Sequence, residues 1–193
     1  HKGVEVLLEA AAMNPRLHVA IAGAGQQEEN LRRRAAAPDL AGRVELLGPV
    51  DKAALPDFYR GLDVLAVPSL TTPGWIEQFG RVAVEAMACG TPVVASDSGA
   101  LPDVVRGAGL LVPPGDPTAL AEALGRAGTD PDLSATMRAE GIARAHDFAW
   151  DVIGGDYVEL YEDMVARGPD APTGPPEVVV VAYHRPELVR ESL

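Results

Sequence analysis

The sequence predicts an α/β fold, a doubly wound parallel sheet with helices on both of its faces. Two observations lead to this prediction. Apolar runs typical of short buried strands alternate with helical patterns at least five times, and the strand runs are apolar throughout instead of alternating with polar residues. Strands of that kind are buried on both sides, and a parallel sheet covered by helices is the arrangement that buries them.

The predicted elements follow one another along the chain with turn residues between them. The spacing of apolar residues predicts helices at residues 3–14, 26–37, 51–61, 80–90, 101–107, 116–128, 131–146 and 149–166. Continuous apolar runs predict strands at residues 17–23, 43–48, 62–69, 91–97 and 109–114. We expect Asp51 to open the third helix. Residues 1–166 would form one domain, and residues 167–176, rich in proline and glycine, a linker.

Composition and charge argue against several classes of protein. Acidic residues outnumber basic residues by 28 to 16, and the net charge of −12 argues against nucleic acid as a partner. The single cysteine, Cys89, cannot form an internal disulfide and fits a reducing compartment. No apolar stretch approaches the roughly 18 residues of a membrane-spanning helix, and the histidines show no metal-ligand spacing. An anionic ligand would need a local exception to the negative charge.

The stretch EQFGRVAVEAMACGTPVVASDSG, residues 77–99, contains two glutamates around a predicted helix start. Ligands of open parallel sheets bind beyond the carboxyl ends of the strands, where loops lead into helices. Residues 68–80 form such a loop, and Gly80 would let a phosphate approach the unpaired N–H groups of the next helix. Eight residues of helix span about 12 Å. Glu77 and Glu85 are therefore too far apart to share a metal, but could hold two ends of an extended ligand.

Carboxylates accept hydrogen bonds from vicinal hydroxyls, so a hexose and a ribose would suit these two positions. The structural alternative is that Glu77 favours a helix start and Glu85 lies on a solvated helix face. That alternative is strained for Glu85, because apolar neighbours predict a helix buried on nearly all sides, and a buried acid needs a partner. These neighbours are Val82, Ala83, Val84, Ala86, Met87 and Ala88.

Two further loops follow predicted strands. Gly23 and Gly25 end the first strand, but a dinucleotide-binding fingerprint would need a third glycine where Glu28 stands. A tight turn explains this pair of glycines equally well. Three polar residues after the fourth strand are predicted to cap the next helix: Ser96, Asp97 and Ser98.

The stretch 77–99 resembles the E-x7-E signature of the retaining GT-B glycosyltransferases of family 4, and the family's D-V-V…G-L-L-V-P-P-G-D sequence follows it. The resemblance covers most of residues 2–166. It implies the Rossmann-like C-terminal half of a GT-B fold, which binds a nucleotide-diphospho-sugar. The N-terminal half, which supplies most of the acceptor site, would lie outside this chain. The chain starts with His-Lys-Gly, and we expect a fragment cut at its N-terminus and inactive alone.

The resemblance assigns roles residue by residue. Glu77 would bind hydroxyls of the donor sugar, the backbone at Phe79 and Gly80 would meet the diphosphate, and Glu85 would hold the ribose. Lys2, otherwise a surface lysine, would neutralise the departing diphosphate, so that Glu77 and Lys2 are the predicted catalytic residues. Three more residues would line the donor site: Gly23, Gly25 and Arg81.

Basic side chains and the helix dipole would balance the diphosphate, so the resemblance implies no divalent metal and no other cofactor. The expected partners are a nucleotide sugar and the missing N-terminal domain, through which the full protein would associate with the inner face of a membrane from the cytoplasm. Trp150 and the helix after it resemble the family's terminal segment, which packs back toward that domain. Apolar side chains would therefore be exposed on this helix.

The end of the chain, PEVVVVAYHRPELVRESL, resembles the opening strand and helix of a family 2 GT-A glycosyltransferase. Residues 177–193 would then start a truncated second domain; the alternative is a stray terminal strand. Two other functions stay open for the main domain. One is a GT-B relative such as a sugar-nucleotide epimerase or a phosphorylase, although neither Lys2 nor Lys52 suits the pyridoxal phosphate of a phosphorylase. The other is a non-catalytic interaction domain.

Overall fold

The computed structural model describes residues 1–167. The chain divides into two compact units, His1–Ile153 and Gly154–Leu193, and the second is described as far as Arg167. The predicted linker and the predicted start of a second domain lie outside the described residues, so both stay predictions.

Strands and helices alternate through the first unit in the predicted order. The strands are β1 (Val19–Ala22), β2 (Val44–Gly48), β3 (Leu65–Val67), β4 (Val93–Ser96) and β5 (Leu110–Val112). The helices are α1 (Val4–Met13), α2 (Glu28–Ala35), α3 (Leu55–Arg60), α4 (Arg81–Ala88), α5 (Leu101–Val105), α6 (Pro117–Thr129), α7 (Pro131–His146) and α8 (Trp150–Arg167).

Every strand pair among the described residues is parallel, which confirms the predicted class of sheet. The ladders join the strands in two groups, β1 with β2, and β3 with β4 and then β5. Within the described residues no ladder connects β1 to β3, and the sequence did not predict this division.

The central strand β4 shows that helices cover both faces of its sheet. Side chains of a strand point alternately to opposite faces. Val93 and Ala95 pack in a core cluster with residues of α3, α4 and α5, whereas Val94 packs in a second cluster with residues of α1 and α6. All four residues of β4 are buried. The predicted doubly wound arrangement is therefore confirmed around this strand.

Helix α1 packs against both groups of strands. Its Ala10 belongs to the cluster that contains Val94 of β4. Its Leu8 and Ala11, both fully buried, belong to a third cluster with Val19 of β1. The two strand groups thus share one helix as part of their cover.

Local signals set several helix boundaries. The carboxylate of Asp116 accepts hydrogen bonds from the N–H groups of Thr118 and Ala119 at 3.0 Å each, and Asp130 caps α7 in the same way. The expectation that Asp51 opens the third helix is wrong. The Asp51 carboxylate accepts the Ala53 N–H at 2.8 Å in the preceding turn, and α3 begins at Leu55.

Helix α8 has no buried residue, and Trp150 at its start is 87% exposed. Further large apolar side chains are exposed along the helix: Tyr157, Val158, Leu160, Tyr161, Met164 and Val165. The predicted exposure of apolar side chains on this helix is confirmed. Among the described residues, no helix combines the length and the apolar character that crossing a membrane requires.

Candidate functional site

The loop between β3 and α4, residues 68–80, is fixed by contacts with the loop that follows β4. The Glu77 carbonyl accepts the Ala100 N–H at 2.9 Å. Gly99 lies so close to this carbonyl that a Cβ atom at position 99 would be 2.2 Å from the Glu77 oxygen, and its φ of 59° also favours glycine. The backbone of Glu77 is therefore held directly against the β4–α5 connection.

The start of the chain brings Lys2 to the same loop. The His1 carbonyl accepts the Leu70 N–H at 2.8 Å, and a Cβ atom at Gly3 would be 1.7 Å from the Pro68 carbonyl oxygen. This close approach places the Lys2 ammonium 2.8 Å from the Glu77 carboxylate. The two predicted catalytic residues, 75 positions apart in sequence, thus form an ion pair.

Trp75 adds a second contact to Lys2. Thr72 and Trp75 exchange backbone hydrogen bonds at 2.8 and 3.1 Å, which closes a tight turn within the loop. The Lys2 ammonium lies 4.8 Å from the centroid of the Trp75 ring, and the His1 ring lies 4.5 Å from it. Lys2 therefore lies between a carboxylate and an aromatic face. No sequence pattern pointed to this role for Trp75.

The Glu77 carboxylate is largely buried, with 13% of its side chain exposed. Burial raises its pKa, but the Lys2 hydrogen bond and charge, the Ser69 hydroxyl and the Gly80 N–H together outweigh burial and hold the pKa below its ordinary value. The Ser69 hydroxyl lies 3.2 Å from the same carboxylate oxygen as Lys2. Glu77 is consequently an ionised acceptor at neutral pH.

The N-terminus of α4 is formed by Gly80. Its φ of 79° lies in the left-handed region, and a Cβ atom there would be 2.5 Å from the Leu101 side chain, so position 80 requires glycine on two grounds. As a glycine, the N-cap residue has no side chain with which to cap the helix.

The Gly80 N–H contributes to the low pKa of Glu77, and the Ala83 N–H donates to the Gly80 carbonyl at 2.8 Å. Among the described residues, the N–H groups of Arg81 and Val82 are therefore left without an acceptor at this helix start.

Glu85 lies one turn further into α4. Its carboxylate accepts the Tyr59 hydroxyl at 2.8 Å and pairs with Arg81 at 3.2 Å. The expectation that α4 is buried on nearly all sides is wrong: the Glu85 side chain is 36% exposed, Val82 is 43% exposed, and Ala88 is exposed too. The helix buries one face, with Ala83, Ala86 and Met87, against the core.

Tyr59 is a second residue of the candidate site that sequence analysis missed. It lies on α3, 26 residues before Glu85, and is 5% exposed. Burial above all, and then the hydrogen bond to Glu85, raise its pKa, so the hydroxyl stays protonated and remains a donor. The one signal in the sequence that pointed toward Tyr59 was the general rule that a buried acid such as Glu85 needs a partner.

Phe79 and Arg81 flank the helix tip on the solvent side. Phe79 is 40% exposed, and its ring meets Phe148 edge to face at a centroid distance of 5.4 Å. The Arg81 side chain is 84% exposed. Both residues are accessible to a ligand at the tip of α4.

Gly23 and Gly25 follow β1, in a separate loop. The Gly23 N–H donates to the Gly48 carbonyl at 2.7 Å, and no heavy atom lies within 4 Å of a Cβ atom built at either glycine. In the part of the chain that the structure describes, no hydrogen bond links this loop to Glu77 or Glu85. Their role at the donor site stays a prediction.

The predicted cap formed by Ser96, Asp97 and Ser98 is wrong. Helix α5 begins after Ala100, which makes no side-chain cap. The Ser98 hydroxyl is instead 2.8 Å from the Thr71 hydroxyl, so it connects the β4–α5 connection with the loop of residues 68–80. The Leu101 N–H is satisfied by the Ser98 backbone carbonyl at 3.2 Å.

Within residues 1–167, no three His, Cys, Asp or Glu side chains lie close enough together to hold a metal ion. The expectation of no metal stays a prediction.

A parallel α/β fold with strand-end loops that surround an uncapped helix tip defines a Rossmann-like domain of the kind found in GT-B glycosyltransferases. The chain belongs to the family described as glycosyl transferases group 1, whose sequence model matches residues 1–144.

Individual relatives agree with this assignment. D-inositol 3-phosphate glycosyltransferase of Corynebacterium jeikeium is 38% identical over 180 residues, which cover 86% of this chain and 42% of that protein. Sucrose-phosphate synthase from Thermosynechococcus elongatus matches with a TM-score of 0.72 and 35% identity, over 86% of this chain and 43% of that one. Anabaena Alr3699/HepE in complex with UDP-glucose matches with a TM-score of 0.69 and 29% identity, over 86% of this chain and 45% of that one. The chain therefore spans less than half the length of these relatives.

Proposed function

We propose that this chain is the donor-binding half of a retaining glycosyltransferase of family 4, which transfers a hexosyl group from a nucleotide-diphospho-sugar to an acceptor hydroxyl. The observation that carries the proposal is the pair of carboxylates, Glu77 and Glu85, around the uncapped tip of α4, with Lys2 bonded to the first. The relative solved with UDP-glucose supports this class of ligand.

The diphosphate would bind at the tip of α4. The N–H groups of Arg81 and Val82 and the positive end of the helix dipole favour an anion there. The Lys2 ammonium, on a side chain that is 58% exposed, adds positive charge. This tip would be the local exception that an anionic ligand requires in a protein of net charge −12.

The two carboxylates would bind the two sugar rings of the donor. A carboxylate offers roughly four acceptor positions, so the contacts of Glu77 with Lys2, Ser69 and Gly80 leave capacity for a hydroxyl of the transferred sugar. Glu85, 36% exposed, has acceptor capacity left for the ribose hydroxyls. Acceptor groups at both ends and the positive helix tip between them suit a ligand that has hydroxyls on two sugar rings and a diphosphate in the middle.

The transfer step would break the bond between the anomeric carbon and the diphosphate oxygen. The new bond to the acceptor oxygen forms on the same face of the sugar, and the acceptor hydroxyl passes its proton to the departing diphosphate oxygen. Negative charge then grows on the departing diphosphate, where Lys2 and the α4 tip would stabilise it electrostatically. We infer that these groups replace a divalent metal, so that EDTA should leave donor binding unchanged.

The acceptor site would lie in a domain of the parent protein outside this chain, and the chain alone would turn over poorly. A separate proposal concerns the sheet itself, to which the parent protein would add a further strand. In β1, the backbone N–H groups of Val19 and Gly23 donate hydrogen bonds on the side of β2, and in β3 the N–H of Leu65 donates on the side of β4. Successive N–H groups of a strand point to opposite sides, so the N–H of Ala20 points away from β2 and that of Ala66 points away from β4.

One further parallel strand between β1 and β3 would give the strand order of a dinucleotide-binding sheet, with α1 as its following helix. In a chain extended upstream with the parent sequence, the amides of Ala20 and Ala66 should exchange hydrogen more slowly than in this chain. Unchanged exchange at both positions would contradict the proposed strand.

Calorimetric titration of the 193-residue chain with UDP, GDP and ADP tests donor binding. We expect Glu85→Ala to weaken the preferred nucleotide about tenfold to a hundredfold, because hydrogen bonds to a charged group contribute about 1.5–3 kcal/mol. Glu140→Ala is the matched control, since Glu140 is an exposed glutamate on α7. If no nucleotide binds, or if both variants behave alike, a non-catalytic interaction domain becomes the better description.

A further inference from the structure

Tyr59 reaches Glu85 from a different helix. Its ring is 5% exposed and packs in the core cluster that contains Ala83 and Met87 of α4. Its hydroxyl emerges at the end of the buried ring, 2.8 Å from one carboxylate oxygen of Glu85. The contact joins α3 to the second turn of α4.

The position of the Tyr59 hydroxyl is fixed from both sides. The buried ring cannot change rotamer without opening the core. The backbone carbonyl of Tyr59 accepts the Thr91 hydroxyl at 2.7 Å, and Thr91, 1% exposed, lies between α4 and β4. Tyr59 is therefore tied to the same helix–strand unit that bears Glu85.

The other contact of Glu85 is much weaker as an anchor. Arg81 approaches the second carboxylate oxygen at 3.2 Å, but its side chain is 84% exposed. Exposed pairs four residues apart on a helix contribute little, because water screens them and both side chains lose freedom. The Tyr59 hydroxyl is thus the contact that selects the Glu85 rotamer.

The geometry points to Tyr59 as a positioning residue for the ribose: its hydroxyl holds the Glu85 carboxylate in the orientation that accepts the vicinal 2′ and 3′ hydroxyls of the nucleotide. This role rests on the proposed function of Glu85. A neutral donor fixes the carboxylate without cancelling its charge, so Glu85 remains a strong acceptor for the ribose.

The test compares two ligands and two variants of the full chain. The ligands are the nucleoside diphosphate that binds best among UDP, GDP and ADP, and its 2′,3′-dideoxy counterpart. We expect Tyr59→Phe to raise the Kd of the ribose nucleotide roughly threefold to tenfold, the range of one net hydrogen bond. The Kd of the dideoxy nucleotide should stay within about twofold.

A double variant separates positioning from direct binding. If Tyr59 acts through Glu85, Tyr59→Phe combined with Glu85→Ala binds the ribose nucleotide no more weakly than Glu85→Ala alone. Glu85→Asp, whose shorter side chain moves the carboxylate away from the hydroxyl, should show the same ribose-selective loss and supports the test if Tyr59→Phe fails to fold.

Two results would overturn the inference while the proposed function stands. One is that Tyr59→Phe raises the Kd of the ribose nucleotide and of the dideoxy nucleotide equally, which indicates that Tyr59 has a structural role only. The other is no loss for the ribose nucleotide, although Glu85→Ala weakens it selectively. If Glu85→Ala itself does not distinguish ribose from dideoxyribose, the proposed role of Glu85 fails, and the role of Tyr59 fails with it.

Discussion

Two neighbouring regions, the loop of residues 68–80 and the helix α4 that follows it, each hold one glutamate carboxylate by different means. Glu77 in the loop is 13% exposed and is bound by the Lys2 ammonium and the Ser69 hydroxyl. Glu85 in the helix is 36% exposed and is bound by the neutral Tyr59 hydroxyl. Both carboxylates have a cationic neighbour, but Glu77 meets Lys2 at a largely buried position, whereas Glu85 meets the Arg81 side chain, which is 84% exposed and screened by water.

The difference follows from the backbone under each residue. In a helix the backbone is fixed by its own hydrogen bonds, so only the side chain of Glu85 needs a partner. A loop has no such regular bonds, and Glu77 depends on backbone contacts with the β4–α5 connection as well as on Lys2. We expect Glu77 to be sensitive to changes in distant backbone, and Glu85 to changes in one side chain.

The largest effect should come from Gly99→Ala. A left-handed residue other than glycine costs about 1–2 kcal/mol, and a Cβ atom 2.2 Å from the Glu77 carbonyl forces the backbone apart as well. We expect the free energy of unfolding to fall by about 3–5 kcal/mol in urea denaturation.

Gly107→Ala is the matched control, because Gly107 has a φ of 76° and no atom within 4 Å of a Cβ position. It should lose only the conformational part, about 1–2 kcal/mol. Equal losses in the two variants would mean that the Glu77 backbone is not held by close contact.

A smaller, pH-dependent effect should follow from Lys2→Met. The pKa of folded Glu77 lies below its ordinary value, so the ion pair stabilises the fold at neutral pH and loses this contribution as the pH falls through the folded pKa. Because Lys2 is more than half exposed, we expect the ion pair to contribute about 0.5–1 kcal/mol at pH 7. This part of the stability difference should be lost in acid, whereas the contact of Lys2 with the Trp75 ring remains.

Arg60→Met, which removes an exposed pair on α3 with Asp57, provides the comparison and should change stability less than Lys2→Met. Urea denaturation from about pH 2 to about pH 8, a range that extends well below and above the ordinary carboxylate pKa of roughly 4, measures both. A difference for Lys2→Met that persists unchanged at the acid end would contradict the ion-pair explanation.

The smallest effect should come from Trp75→Leu. This change removes the aromatic face beside Lys2, and such a contact contributes about 0.5–1 kcal/mol at an exposed site. Trp150→Leu is the control, since Trp150 is 87% exposed. The unfolding temperature of both variants measures the effect, and Trp75→Leu should lower it more than Trp150→Leu. Equal shifts would mean that Trp75 does not help to hold Lys2.

Much of this architecture could be predicted without coordinates, because the signals are local. The helix predicted at roughly residues 131–146 is α7, and the structure shows that Asp130 caps it and that Pro131 opens its first turn. The glutamates around the α4 tip were found by their spacing. The errors at Asp51 and Ser98 share one cause, because each polar side chain ahead of a helix was predicted to cap it. The Asp51 carboxylate instead accepts an N–H within a turn, and the Ser98 hydroxyl bonds to Thr71 in another loop.

The sequence by itself determined the alternation of strands and helices, the parallel class of the sheet and the identity of the residues at the helix tip. These features depend on neighbouring residues and on hydrophobic periods. Only the tertiary structure decided that Lys2 pairs with Glu77, that Tyr59 binds Glu85, and that α4 buries only one face. These contacts join residues 75 and 26 positions apart, and they depend on how strands and helices pack, which no local pattern encodes.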